Sequence, residues 1–88
     1  MRYQQIAVYI LASGFHRTLY IGVTSHLAKR IHEHRTHAIE GFTKQYGVAK
    51  LVYYELHETM ESAIHREKRL KKYTRVAKIK LIKAQNPA

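Results

Sequence analysis

The sequence predicts an α/β (α+β) domain built on a small three-stranded antiparallel sheet flanked by helices, in the order β-β-α-(α)-β-α-α. Three observations lead there. Residues 8–12 and 18–22 are short apolar runs around Ser13-Gly14-Phe15-His16-Arg17, whose small, polar and glycine residues favour the turn of a hairpin. Residues 50–56, Lys-Leu-Val-Tyr-Tyr-Glu-Leu, are rich in branched and aromatic side chains and read as a third strand. Elsewhere the apolar residues recur at helical spacing.

Register within the hairpin follows from the side chains, because cross-strand partners share a face. Pairing Tyr9 with Tyr20 also pairs Ile10 with Leu19 and Val8 with Ile21, and leaves residues 13–16 as the loop. That register sorts the aliphatics onto one face and both phenols onto the other; the neighbouring register sets each tyrosine opposite an isoleucine. A strand tyrosine taken singly is an ordinary packing residue. The pair is more informative.

After Gly22 the period changes. Thr24 or Ser25 is positioned to cap a helix on which Leu27, Ile31 and His34 recur, with Arg30 one turn before His34. Between His34 and Lys50, Gly41 and Gly47 bracket a segment long enough for one or two helical turns. There Phe42 and Tyr46 are candidates to pack the loop on the core. The third strand must pair with one of the first two. Thr59 then caps a helix with Glu61 in its first turn and Met60, Ala63, Ile64, Glu67 and Leu70 on one stripe. Val76, Ile79 and Ile82 supply the spacing of a last helix, and Pro87 marks its end.

With 88 residues the chain is expected to form one domain, residues 1–88. Its core is modest, so a homodimer or a protein partner would add stability. The absence of cysteine excludes disulfides and thiolate sites. The apolar run over residues 6–12 is too short and too strand-like for a signal peptide or a membrane span, so the expectation is a soluble, cytoplasmic protein with no membrane association. Sixteen Lys and Arg stand against six glutamates and no aspartate, a formal net charge of +10. So large an excess favours a polyanionic partner, with nucleic acid leading. The alternatives are charge that serves solubility, or docking on ribosomal RNA or an anionic membrane surface.

Glu67 is the carboxylate that stands out. It interrupts an apolar stripe, whereas Glu58 and Glu61 fall in or beside a first helical turn, where acids belong. A carboxylate turned inward must be paired or bind a cation. An ion pair with Arg30 or a lysine and a divalent metal ligand both satisfy that requirement. Around it Arg66, Lys68, Arg69, Lys71 and Lys72 begin a densely basic C-terminal third. The seven histidines do not suggest zinc: His32 and His34 point apart on a helix, and no His-Glu-x-x-His pattern or cysteine is present.

Taken together, Val8-Tyr9-Ile10, Tyr20-Ile21-Gly22-Val23-Thr24, Leu27-Ala28-Lys29-Arg30 with His34, and the run from Ala63 to Lys72 resemble the GIY-YIG endonuclease module, in its small stand-alone bacterial form. The likeness runs from about Ile6 to Pro87. It implies the GIY-YIG nuclease fold, with a second short helix after His34 that sets Lys44 and Tyr46 near the substrate groove. It also implies a Mg2+- or Mn2+-dependent endonuclease hydrolysing phosphodiester bonds in DNA, branched or damaged forms in repair or recombination among them.

By the same resemblance, the catalytic residues are Tyr9, Tyr20, Arg30, His34 and Glu67. Glu67 is the ligand of one metal ion and Arg30 stabilises the non-bridging oxygens. A tyrosine, Tyr20 ahead of Tyr9, orients or deprotonates the water, a role that nearby positive charge would assist by lowering a phenol pKa. Lys29, Lys44, Arg66, Lys68, Lys71 and Lys72 are the candidate nucleic-acid contacts. The first motif reads Ala7-Val8-Tyr9 and keeps the tyrosine; Asn86, the only asparagine, lies further from Glu67 than the family's late asparagine. The alternative functions are a nucleic-acid-binding module of the same fold with weak or no catalysis, or an interaction subunit that needs a partner for targeting.

Overall fold

The structure, a computed structural model, describes residues 5–13, 18–35 and 49–86. Strands β1 (Ala7–Ser13), β2 (Leu19–Thr24) and β3 (Ala49–Leu56) form an antiparallel sheet in the order β2-β1-β3. Helices α1 (Leu27–Arg35), α2 (Met60–Lys71) and α3 (Arg75–Gln85) complete the described elements. The third strand thus pairs with β1. The segment in which a further short helix was expected, with Lys44 and Tyr46, lies outside the described residues.

The hairpin register differs from the expected one by two residues. Tyr9 faces Gly22, Ile10 faces Ile21 and Leu11 faces Tyr20. A shift of two leaves every side chain on its own face, so apolar alternation cannot tell the two registers apart. The sorting of faces holds: Val8, Ile10 and Ile21 join one cluster with Tyr53, Ala63 and Leu70, while Tyr9 and Leu11 pack on the other side beneath Leu27, Ile31 and Leu51.

Leu51 and Tyr53 are two apart yet belong to opposite clusters. The β1–β3 register shifts between Ile10 and Leu11, so Val52 is an extra residue that reverses the facing of the strand beyond it. Tyr53 and Glu55 are thereby turned toward α2. As an edge strand, β3 also needs partners for its outer backbone. The Gln85 side chain supplies them at Tyr54, accepting from its N–H (3.0 Å) and donating to its carbonyl (2.7 Å). Asn86 Nδ2 donates to the Val52 carbonyl at 2.8 Å. The only asparagine therefore ties the end of α3 to the bulge.

Thr59 caps α2 as expected, its hydroxyl accepting from the Ser62 N–H at 3.1 Å, and Thr74 caps α3 in the same way through Ala77. The start of α1 departs from expectation. Thr24 Oγ1 accepts from His26 N in the turn before the helix, and Gln5 supplies the first-turn partners, its carbonyl taking Leu27 N (3.3 Å) and its side-chain oxygen Ala28 N (3.1 Å). A cap delivered from 23 residues upstream leaves no local signal.

The buried strip of α2 is narrower than the sequence suggested. Ala63 and Leu70 are fully buried, whereas Met60 and Ile64 are exposed. Glu67 lies on the flank of the strip with its side chain 17 % exposed, not in the core. On α3, Leu81 and Ile82 pack against the cluster and Val76 faces solvent.

Candidate active site

Direct cross-strand pairing of Tyr9 with Gly22 puts the phenol over a residue without a side chain. A Cβ at Gly22 would lie 2.5 Å from Tyr9 Oη and 2.6 Å from Cζ. Glycine there lets the ring cross β2 toward Tyr20, its diagonal neighbour, with ring centroids 6.4 Å apart and planes tilted by 46°. The two tyrosines then differ in kind. Tyr9 is 2 % exposed and Tyr20 40 %. Burial pushes the Tyr9 hydroxyl up to about 12, with the Tyr20 phenol, Glu33 and Glu67 pushing the same way and Arg30 opposing. Desolvation outweighs the nearby cation, so Tyr9 is a neutral hydroxyl at physiological pH.

The charges acting on Tyr9 locate its neighbours. Arg30 from α1 and Glu67 from α2 both lie within electrostatic range of one hydroxyl, although their helices pack on opposite faces of the sheet. Tyr20, Arg30 and Glu67, all singled out in the sequence, thus each act electrostatically on Tyr9, and Tyr20 does so from a neighbouring ring. Of His34, on α1, only the backbone is described.

Arg30 borders a groove of about 220 Å³ that is also lined by Thr24, Ser25, His26, Lys29 and Glu33. Its Nε is buried without a hydrogen-bond partner among the described residues, and Glu33 Oε1, at 4.0 Å, is too far to serve as one. The Arg30 side chain as a whole is 39 % exposed, so its guanidinium can meet an anionic oxygen arriving from solvent, and guanidinium–phosphate contacts are the stronger, charge-assisted kind.

Glu67 offers the complementary group. Its Oε2 lies 3.5 Å from Lys71 Nζ, one turn along α2. Among the described residues no group of three or more His, Cys, Asp or Glu side chains could hold a metal. A site on Glu67 would therefore present one hard oxygen ligand. That fits Mg2+ or Mn2+, which is commonly bound through one or two carboxylates with water and substrate phosphate filling the rest.

The GIY-YIG catalytic domain family matches residues 5–80, which include all four of these residues. The chain belongs to the GIY-YIG family. Its relatives include UPF0213 proteins of Syntrophus aciditrophicus, 38% identical over 91% of each chain, and of Clostridium perfringens, 39% identical over 90% of this chain and 84% of the relative. A UPF0213 protein of Staphylococcus aureus is 36% identical over 75% of this chain and 80% of its own length. No solved structure matches. Membership of the GIY-YIG family makes nucleic acid the substrate class and endonucleolytic cleavage the general activity. Among the described residues no helix is long and apolar enough to cross a membrane.

Beside this GIY-YIG site lies a polar cluster that sequence reasoning missed. Glu55 accepts from Arg66 Nε (3.0 and 3.1 Å) and Nη2 (2.9 Å), from the Tyr53 hydroxyl, and contacts His57 Nε2 at 3.2 Å. Arg66 in turn reaches the Tyr73 hydroxyl at 3.4 Å and lies 5.7 Å from that ring's centre. His57 Nδ1 is 2.8 Å from Ser62 Oγ, on the first turn of α2. The candidate phosphate contact Arg66 is thus engaged by Glu55, whereas Lys29, Lys68 and Lys72 are exposed. The bulge at Val52 hides the pattern, because it alone turns Tyr53 and Glu55 to face α2.

The cluster makes stability depend on pH. Burial by itself would raise the Glu55 pKa, but hydrogen bonds from Arg66, Tyr53 and His57 outweigh it and hold the carboxyl below its ordinary value of 4.5. A lowered pKa contributes stability that is present above the unfolded value and is lost as pH falls through the folded one. Tyr53, through burial and its bond to Glu55, and Tyr9 are both pushed up to about 12 from 10.0, so their contribution is present below pH 10.0 and is lost as pH rises toward 12. Thermal melts are expected to show a plateau, with the midpoint falling below about pH 4.5 and again above about pH 10. A flat profile down to pH 3 would remove Glu55 as a stabilising pair.

Proposed function

We propose that the protein is a Mg2+- or Mn2+-dependent endonuclease that hydrolyses phosphodiester bonds in DNA, with branched or damaged DNA of repair and recombination as the substrates to try first. The observation that carries this reading is Arg30, part-exposed at the groove with its Nε unpaired among the described residues, and within electrostatic range of the same tyrosine as the Glu67 carboxylate. In phosphodiester hydrolysis the transition state gathers charge on non-bridging oxygens, and a preorganised cation facing that charge is often the largest contribution to the rate.

Arg30 donates to a non-bridging oxygen. Glu67 would hold the divalent ion. When bound, that ion acts as a Lewis acid on the phosphoryl group and offsets charge on the departing oxygen. Tyr20, the accessible phenol, orients the attacking water. Tyr9, neutral at working pH, keeps Tyr20 in place and offers a hydrogen bond; its raised pKa makes it a poor base. His34, from α1, assists as a phosphate contact, acid or base. Lys29, Lys68 and Lys72 grip flanking phosphates, which gives affinity without reading sequence.

The test is cleavage of labelled single-stranded, duplex, flap and branched DNA, with RNA controls, in Mg2+, Mn2+ or chelator. Cutting of at least one DNA form that chelator abolishes supports the proposal. Salt-sensitive binding with no cutting of any form in either metal favours a binding module that has kept the fold.

A further inference from the structure

Two partly buried glutamates sit on or beside α2, and their surroundings are opposite in kind. Glu55 is held by three donor residues, one of them an arginine with two nitrogens on the carboxylate. Glu67 has, among the described residues, one ion-pair partner, Lys71, touching one oxygen at 3.5 Å. The partners differ as well. Arg66 is 23 % exposed and fixed against Tyr73, whereas Lys71 is 57 % exposed on a flexible stem that pivots on the solvent side of the helix. Glu55 cannot release its cation without leaving several groups unpaired. Glu67 can.

We propose that Lys71 is the exchangeable counter-ion of Glu67, neutralising the carboxylate before metal arrives and contacting a substrate phosphate oxygen once a divalent ion has taken its place. This rests on the reading of Glu67 as the metal ligand. The two cations compete for one carboxylate. A divalent ion bonded to it would stand only a few ångströms from the ammonium, and like charges at that separation repel appreciably even near the surface. Lys71 then turns outward, where the bound substrate offers phosphate oxygens beside the same metal. The swap keeps the local charge near balance in both states: carboxylate with ammonium at rest, and carboxylate, metal, ammonium and phosphate when loaded. It also gives Lys71 opposite effects on two steps, hindering metal entry and favouring phosphoryl transfer.

The opposed effects make the inference testable. Mn2+ binding to wild type, Lys71→Met, Lys71→Arg and Glu67→Ala is measured without DNA by electron paramagnetic resonance, followed by single-turnover cleavage at saturating Mn2+. Lys71→Met, which keeps the length of the stem, is expected to bind Mn2+ about threefold or more tightly than wild type. Its cleavage rate should fall about tenfold or more, as expected on losing one charge contact to the transition state. Lys71→Arg, which keeps the charge, should return Mn2+ affinity toward wild type. A merely structural lysine would not tighten metal binding when removed. Unchanged or weaker Mn2+ binding by Lys71→Met, with wild type both binding and cutting, overturns the inference and leaves the nuclease reading intact. Mn2+ binding absent from wild type without DNA overturns the inference alone, since no metal then displaces Lys71 ahead of substrate, and Mn2+ binding that persists unchanged in Glu67→Ala overturns both.

Discussion

Glu67→Ala is expected to lower single-turnover DNA cleavage by about 10³-fold or more while changing the DNA dissociation constant by less than about threefold. The two numbers separate because the side chain serves two steps unequally. Affinity comes chiefly from lysines and arginines on phosphates, and loss of one anion among them does not weaken it. On the proposed mechanism the chemical step loses the carboxylate that would hold the metal, leaving Arg30 alone to face the developing charge. The fold should tolerate the change. Glu67 lies outside the Glu55 cluster, and its pair with an exposed Lys71 is worth at most about 0.5 kcal/mol. Fluorescence anisotropy and rapid-quench cleavage on one DNA form measure both quantities. Cutting at the wild-type rate by a folded Glu67→Ala protein would rule this carboxylate out as the metal ligand.

The sequence showed the elements and their sheet well, because each rests on local periodicity or local capping. Thr59, for instance, both announces α2 and caps it. What it hid is long-range or depends on an odd count. Gln5 caps α1 from across the chain, Val52 reverses the facing of half a strand, and the hairpin slides by two residues without moving a side chain off its face. The same distinction runs through the site. Tyr9, Tyr20, Arg30 and Glu67 were singled out because they sit in motifs whose order and spacing resemble the family's. The fate of Arg66 was not: on a helix wheel it is one more cation in a basic run, and only the reversed β3 brings Glu55 under it. The difference in burial between the tyrosines was also invisible, since both share a face and only the pairing with Gly22 lets Tyr9 sink while Tyr20 stays exposed.

Gly22→Ala tests that arrangement directly. The new methyl would start 2.5–2.6 Å from the Tyr9 ring atoms and 3.1 Å from Tyr20 Cε1, so something must move. Tyr9 has little room to yield: it is 2 % exposed and packed with Leu27, Ile31 and Leu51. Overpacking of this kind costs about 1–3 kcal/mol, or roughly 4–8 °C in melting temperature per kcal/mol for a domain of this size. The functional loss should be larger. A shift of the Tyr9 ring carries Tyr20 with it, and a displacement of about 1 Å of a group that orients the nucleophile costs about 10²-fold in rate. Mn2+ binding, assigned by the proposal to Glu67 on a separate helix, should stay within about threefold of wild type. Loss of cleavage with metal binding retained is therefore the signature of misplaced phenols, distinct from the loss of both expected for Glu67→Ala. A Gly22→Ala protein that melts and cuts like wild type would show that β2 can shift to admit the methyl, and the pairing of Tyr9 with this glycine would then not govern where the tyrosines stand.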